Sequence, residues 1–129
     1  MPATRWRALT RMIITIEGAP ADELHPNSRP HRMALARARK AAKAEAYYLT
    51  IEALAGKRAD GESALITRTF IRPANRRRDI DNLEAACKSY LDGISQALGI
   101  NDSHFRFGES SIVVEPGRRA IRFEVEIQP

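Results

Sequence analysis

Residues 64–98 read ALITRTFIRP ANRRRDIDNL EAACKSYLDG ISQAL, and the hydrophobic period changes partway along. At the start, Leu65, Thr67, Thr69 and Ile71 alternate with Ile66, Arg68, Phe70 and Arg72, the period of two that belongs to a strand. Pro73 lacks the N–H that would extend a ladder and closes it. Past the basic run, Leu83, Ala86, Cys87, Tyr90, Leu91, Ile94, Ala97 and Leu98 recur at helical spacing. They predict a helix over roughly Asn82 to Leu98, capped at its C-terminus by Gly99 and weakened in the middle by Gly93. A strand followed by a helix with one apolar stripe sets the class as α/β or α+β.

Working outward, the β-branched run in Arg11 to Ile16 predicts a first strand that ends at Gly18 and Pro20. Residues 19–30 are rich in proline and predict a loop. From Arg32 to Ala55 the residues Met33, Ala36, Ala44, Tyr47, Tyr48, Ile51, Leu54 and Ala55 recur near helical spacing. They predict a long amphipathic helix stopped at Gly56, with Arg32, Arg39, Lys40 and Lys43 on its other face and Arg37 nearby. Downstream, Ser111 to Glu115 and Ala120 to Gln128 predict two strands joined through Pro116 and Gly117 as a hairpin. The order is βαβαββ: one domain over residues 12–129, with a mixed sheet and two helices. A basic arm without clear periodicity, residues 1–11, carries Arg5, Trp6 and Arg7 ahead of it.

At 129 residues the chain suffices for one core and one domain, so any binding and catalytic sites share a single scaffold. Its 21 Lys and Arg against 16 Asp and Glu leave a formal charge of +5, a field that attracts polyanions. Ribosomal and membrane-surface proteins share such a balance, so charge alone does not choose the partner. With Cys87 as the only cysteine, no disulfide or multi-cysteine zinc site is possible within the chain, and a small buried residue in a reducing compartment is the reading. No apolar run reaches the ~18 residues of a membrane span, and no secretion signal opens the chain, so a soluble cytoplasmic protein is expected.

Chemistry concentrates in Arg76-Arg77-Arg78-Asp79-Ile80-Asp81-Asn82-Leu83. Two readings fit it. In one, Asp81 or Asn82 caps the helix, Glu84 completes a capping-box-like pair, and Asp79 pairs with an arginine. In the other, residues 79–81 are extended, so both carboxylates point to one side and a divalent cation relieves their repulsion. Asp102 follows the second helix as a third carboxylate, provided the chain folds back. Lys88 stands seven positions after Asp81, two turns along the same face, and is either aimed at that pocket or in an ordinary surface pair with Glu84. His25, His31 and His104 read as loop histidines, and no serine or cysteine nucleophile has a histidine partner in view.

The set Asp79-Ile80-Asp81-Asn82-Leu83, Lys88 with Asp92 four residues later, and Asp102 resembles the motif series of RusA-type Holliday-junction resolvases. Pro26-Asn27-Ser28-Arg29 before a basic helix is similar to that family's N-terminal loop, so the resemblance spans most of residues 12–127. It implies a RusA-like fold and a homodimeric, magnesium-dependent endonuclease, often phage or prophage encoded, in which manganese can substitute for magnesium. Such an enzyme nicks opposing strands of a four-way junction. By position, Asp79, Asp81 and Asp102 become the metal-binding catalytic carboxylates and Lys88 the catalytic lysine. Two departures stand out: the lysine lies about one helical turn further from Asp81 than in the family's founding member, and Asn101 replaces an often acidic residue. Arg76, Arg77 and Arg78 are placed for phosphates near the scissile bond, and Asn27, Arg29, Arg32, Arg39, Lys40 and Lys43 for an arm of the junction. A solvated helix face is the alternative for Arg39, Lys40 and Lys43. Two further functions stay open: a metal nuclease for flaps or forks, and a DNA-binding protein whose acidic cluster is structural.

Overall fold

The computed structural model describes residues 8–74 and 79–129. Arg76, Arg77, Arg78 and the first seven residues of the basic arm lie outside the described residues. In chain order the elements are β1 (Ala8–Leu9), β2 (Arg11–Glu17), α1 (Arg32–Leu54), β3 (Arg58–Ala59), β4 (Ser63–Arg72), α2 (Ile80–Ala85), α3 (Lys88–Leu98), β5 (Phe105–Phe107), β6 (Ser111–Val114) and β7 (Ala120–Gln128). This is a mixed α+β domain. Part of the segment read as an arm is paired, since β1 runs parallel to β3 and Arg11 opens β2.

β4 organises the main sheet. β7 pairs antiparallel along one of its edges, with β2 antiparallel beyond, while β5 and β6 pair parallel with successive parts of the other edge. The predicted hairpin of the last two strands is therefore corrected: β6 and β7 flank β4 instead of pairing with each other. Pro116 and Gly117 (φ 76°) serve a crossing over the end of β4, held by Glu115 N–H donating to Arg72 O at 2.8 Å and Gly18 N–H donating to Arg119 O at 2.7 Å. Arg118 clamps the crossing through Glu17 and Glu115, at 2.6 and 3.1 Å.

Register then dictates the core. Met12, Val125 and Ile66 form one cross-strand row, Ile14, Phe123 and Arg68 the next, and Ile16, Ile121 and Phe70 a third. All nine are buried, so an arginine stands in an otherwise apolar grid. Against this grid pack α1 through Ala42, Ala46 and Leu54, and α3 through Tyr90, Ile94 and Leu98.

The face of α1 differs from the predicted one. Met33, Ala36, Ala44, Tyr48 and Ile51 are exposed, and the buried line is Ala42, Ala46, Thr50 and Leu54, spaced by four. Small side chains won because α3 crosses close by at Gly93, whose backbone lies against Lys43, Ala46 and Tyr47. The ring nitrogen of His31 caps α1, accepting from Met33 N–H at 3.1 Å, and Ala55 and Gly56 end it with positive φ. The single predicted helix over 82–98 is two, making three α-helices among the described residues, because the chain tightens at Ala86 and Cys87. There Cys87 N–H donates to Glu84 O, three residues back, and its thiol to Leu83 O. Tyr90 ties α3 to the loop after β2 by accepting from Ala21 N–H at 3.1 Å. Tyr90→Phe should cost about 1 kcal/mol in urea unfolding, the net value of one such hydrogen bond.

Among the described residues no helix is long and apolar enough to cross a membrane.

Candidate functional site

Arg68 is 7% exposed, and its guanidinium donates to Glu84 Oε2 at 3.1 Å and lies over the Phe107 ring, 4.3 Å from the centroid. Ser110 Oγ donates to the same carboxylate oxygen at 2.6 Å. β4 supplies the arginine, α2 the carboxylate, β5 the ring, and the turn before β6 the hydroxyl. The Nε–H of Arg68 has no hydrogen-bond partner among the described residues.

Two clefts meet beside this cluster. The first, about 340 Å³, is lined by Arg68, Glu84, Lys88, Asp92, Asp102 and Phe107 among others. The second, about 360 Å³, is lined by Arg39 from α1 and shares Lys88 and Asp92 with the first. Lys88 stands at the junction of the two, its side chain 79% exposed and paired with Asp92 at 3.7 Å. Of the predicted catalytic residues, the fold thus brings Lys88 and Asp102 to one cleft. The surface pair predicted for Lys88 and Glu84 is corrected, because Glu84 is engaged by Arg68 and Lys88 by Asp92.

Asp79 and Asp81 sit differently. Residues 79–81 are not extended: Asp79 has helical φ and ψ (−88°, −6°) and precedes α2, and Asp81 lies in its first turn. At a helical 100° per residue the two carboxylates diverge, so the shared side expected from an extended pair is lost. Neither reading of the capping box holds, since Asp79 occupies the cap position without a side-chain bond and Glu84 turns to Arg68. Asp79 lines a third cleft of about 230 Å³ with Arg72, Pro73, Ile112 and Arg119, at the C-terminal end of β4. Asp102 precedes β5, whose Phe105 pairs with Ala64 near the other end. No group of three or more His, Cys, Asp or Glu among the described residues is arranged to hold a metal ion.

The predicted DNA contacts on α1 and before it, Asn27, Arg29, Arg32, Arg39, Lys40 and Lys43, are all exposed. Ser110 and Phe107 escaped the sequence reading, which took Arg68 only as a strand position and Glu84 only as a cap or surface partner. One signal was available: Arg68 shares the phase of Ile66 and Phe70, which are core residues.

Glu84→Ala should destabilise by about 2–3 kcal/mol, because it strands a buried guanidinium; Glu84 is itself about a third exposed, which keeps the effect at the low end for a broken buried pair. The double change Arg68→Met with Glu84→Leu should recover most of that loss in the same urea titration. Cys87 lies behind the cluster, where burial pushes its thiol up to about 12, partly offset by the Arg68 guanidinium. The native thiol is raised above its ordinary 9.0, so the unfolded chain ionises first. Stability from this group is full below pH 9 and falls as pH rises toward 12. At pH 8 a disulfide reagent should label Cys87 only as fast as the protein opens.

Comparison with protein-family models and with curated protein sequences finds no match for this chain. The class that fold and site define is accordingly a small, basic α+β domain with a charged double cleft.

Proposed function

We propose that this protein is a structure-selective endodeoxyribonuclease that acts on four-way DNA junctions as a magnesium-dependent homodimer, as its resemblance to the RusA family implies. The observation that carries the reading is the convergence of Lys88, Asp92 and Asp102 on one cleft, with Arg39 beside them. Exposed Arg32, Lys40 and Lys43 extend that cationic surface along α1. Cations there bind phosphate by releasing counterions, and carboxylate oxygens are the hard donors that magnesium prefers.

In a single chain the aspartates do not fit a shared ion, because Asp79 and Asp102 line separate clefts, one beside Arg72 and the other beside Arg68. The four-residue step from Arg68 to Arg72 spans roughly 13 Å at strand rise. The proposal therefore requires that the carboxylates converge when two chains and DNA assemble. What the chain's own residues supply is phosphate binding along α1 and a lysine ammonium beside Asp102.

A mobile synthetic four-way junction, a flap and a linear duplex incubated with Mg²⁺ test the proposal. Paired symmetric nicks in the junction alone are expected, whereas preferential cutting of the flap would shift the substrate. Binding without cutting in Mg²⁺ or Mn²⁺ would favour a second reading, a branched-DNA-binding protein, which the separation of Asp79 from the Asp102 cleft supports. In either case Arg39→Ala, Lys40→Ala or Lys43→Ala should lower the slope of log affinity against log salt by about one unit per lost phosphate contact.

A further inference from the structure

We infer that the cleft between Arg68 and Lys88 is a subsite for a single unstacked nucleobase, with Phe107 as its stacking surface and Glu84 as its polar reader. The inference rests on the DNA reading above and adds to it a base contact at a defined place.

With no cation bound, charge keeps a phosphate at the exposed rim, beside Lys88 and Asp102, and out of the cleft interior. The cleft has two cations, Arg68 and Lys88, against three carboxylates, Glu84, Asp92 and Asp102, and Arg68 is already engaged by Glu84. An anion pushed in would meet a formal surplus of one negative charge. The interior instead suits a flat, neutral group with a polar edge: its apolar lining includes Leu91, Phe105 and Phe107. Phe107 is 45% exposed although Arg68 covers part of it, an unusual allotment for a ring beside a core. Arginine–aromatic pairs of this kind are stacking platforms for single bases.

The polar end is equally specific. Arg68 and Ser110 both donate to Oε2 of Glu84, which fixes the carboxylate while leaving Oε1 outside those two bonds. A fixed carboxylate accepts from an exocyclic amine, which cytosine, adenine and guanine possess and thymine lacks. The guanidinium of Arg68 is nine-tenths buried at the inner wall, where its bond to Glu84 holds the carboxylate in place. Lys88 stands at the mouth, where the second cleft with Arg39 begins, and a backbone phosphate placed there leaves the base free to turn inward.

The test uses the full chain and synthetic four-way junctions with 2-aminopurine at successive positions around the branch, in Ca²⁺ to suppress cutting. Binding should raise the fluorescence several-fold at one position, marking an unstacked base. Phe107→Ala should abolish the rise and weaken junction binding about tenfold, the scale of one lost stacking contact. Phe107→Leu, which keeps the apolar volume, should lose the rise as well, with circular dichroism reporting the fold of both variants. Thymine at the marked position should weaken binding to the wild type, and Glu84→Gln should erase that discrimination. Junction binding with no fluorescence rise at any position, or a rise unchanged in folded Phe107→Ala, would overturn the subsite and leave the DNA reading standing. Absence of binding to any DNA would overturn the reading on which the subsite rests.

Discussion

Gly93→Ala is expected to destabilise the protein by about 3 kcal/mol and to lower its thermal midpoint by roughly 10 °C, although helix propensity alone argues for a gain of about 1 kcal/mol. A Cβ at position 93 would collide with the carbonyl oxygen of Lys43 and lie 2.9 Å from Tyr47 N and 3.1 Å from Ala46 Cβ. Two of these three atoms belong to the backbone of α1 and cannot turn aside as a flexible side chain would. The helices must therefore separate, and separation unpacks Ala42, Ala46 and Ile94, all buried in the core. Differential scanning calorimetry decides the matter. A midpoint at or above that of the wild type would mean that α1 and α3 do not cross at this glycine.

The same residue marks where the sequence stopped being legible. Strand β4 and the strand at Arg11 could be read from their alternation because the sheet has one apolar face, and that face imposes a period of two on β2, β4 and β7. The helical segments were legible as such from their spacing. Which face of α1 is buried was not, because a close crossing rewards alanine and glycine, whereas a search for large apolar residues selects Met33, Tyr48 and Ile51. The last two strands misled for a different reason. A Pro-Gly pair between two alternating runs marks a turn, but local chemistry does not say whether a third strand is inserted between them, and here β4 is.

At the site, Lys88 and Asp102 share a cleft although fourteen residues separate them, a closeness created by α3 and the turn before β5. The Arg68 cluster depends on pairing over longer range still, joining β4 to residue 84 and residue 110. Its arginine was visible in the strand pattern only as a member of the wrong chemical type in the right phase. The direction of Asp79 and Asp81 turned on whether the segment before α2 is extended or helical, and an Asp-Ile-Asp-Asn run serves both conformations.

Loss of one aspartate should have the largest effect of all. In Mg²⁺, Asp81→Asn and Asp102→Asn are each expected to slow junction cleavage on the order of 10³-fold or more, as for single members of a catalytic set. Junction affinity in Ca²⁺ should be unchanged or tighter, since each substitution removes a negative charge facing phosphate. Both aspartates are exposed, so the exchange of one oxygen for an amide should leave folding intact, which circular dichroism verifies. The most direct measurement is thus the rate at which wild type, Asp81→Asn and Asp102→Asn cut one end-labelled mobile four-way junction in Mg²⁺. Paired symmetric nicks from the wild type, with none from the folded variants, are the predicted result. Cutting at the wild-type rate by either variant, or a wild type that binds the junction and cuts it with no divalent metal, would contradict the account.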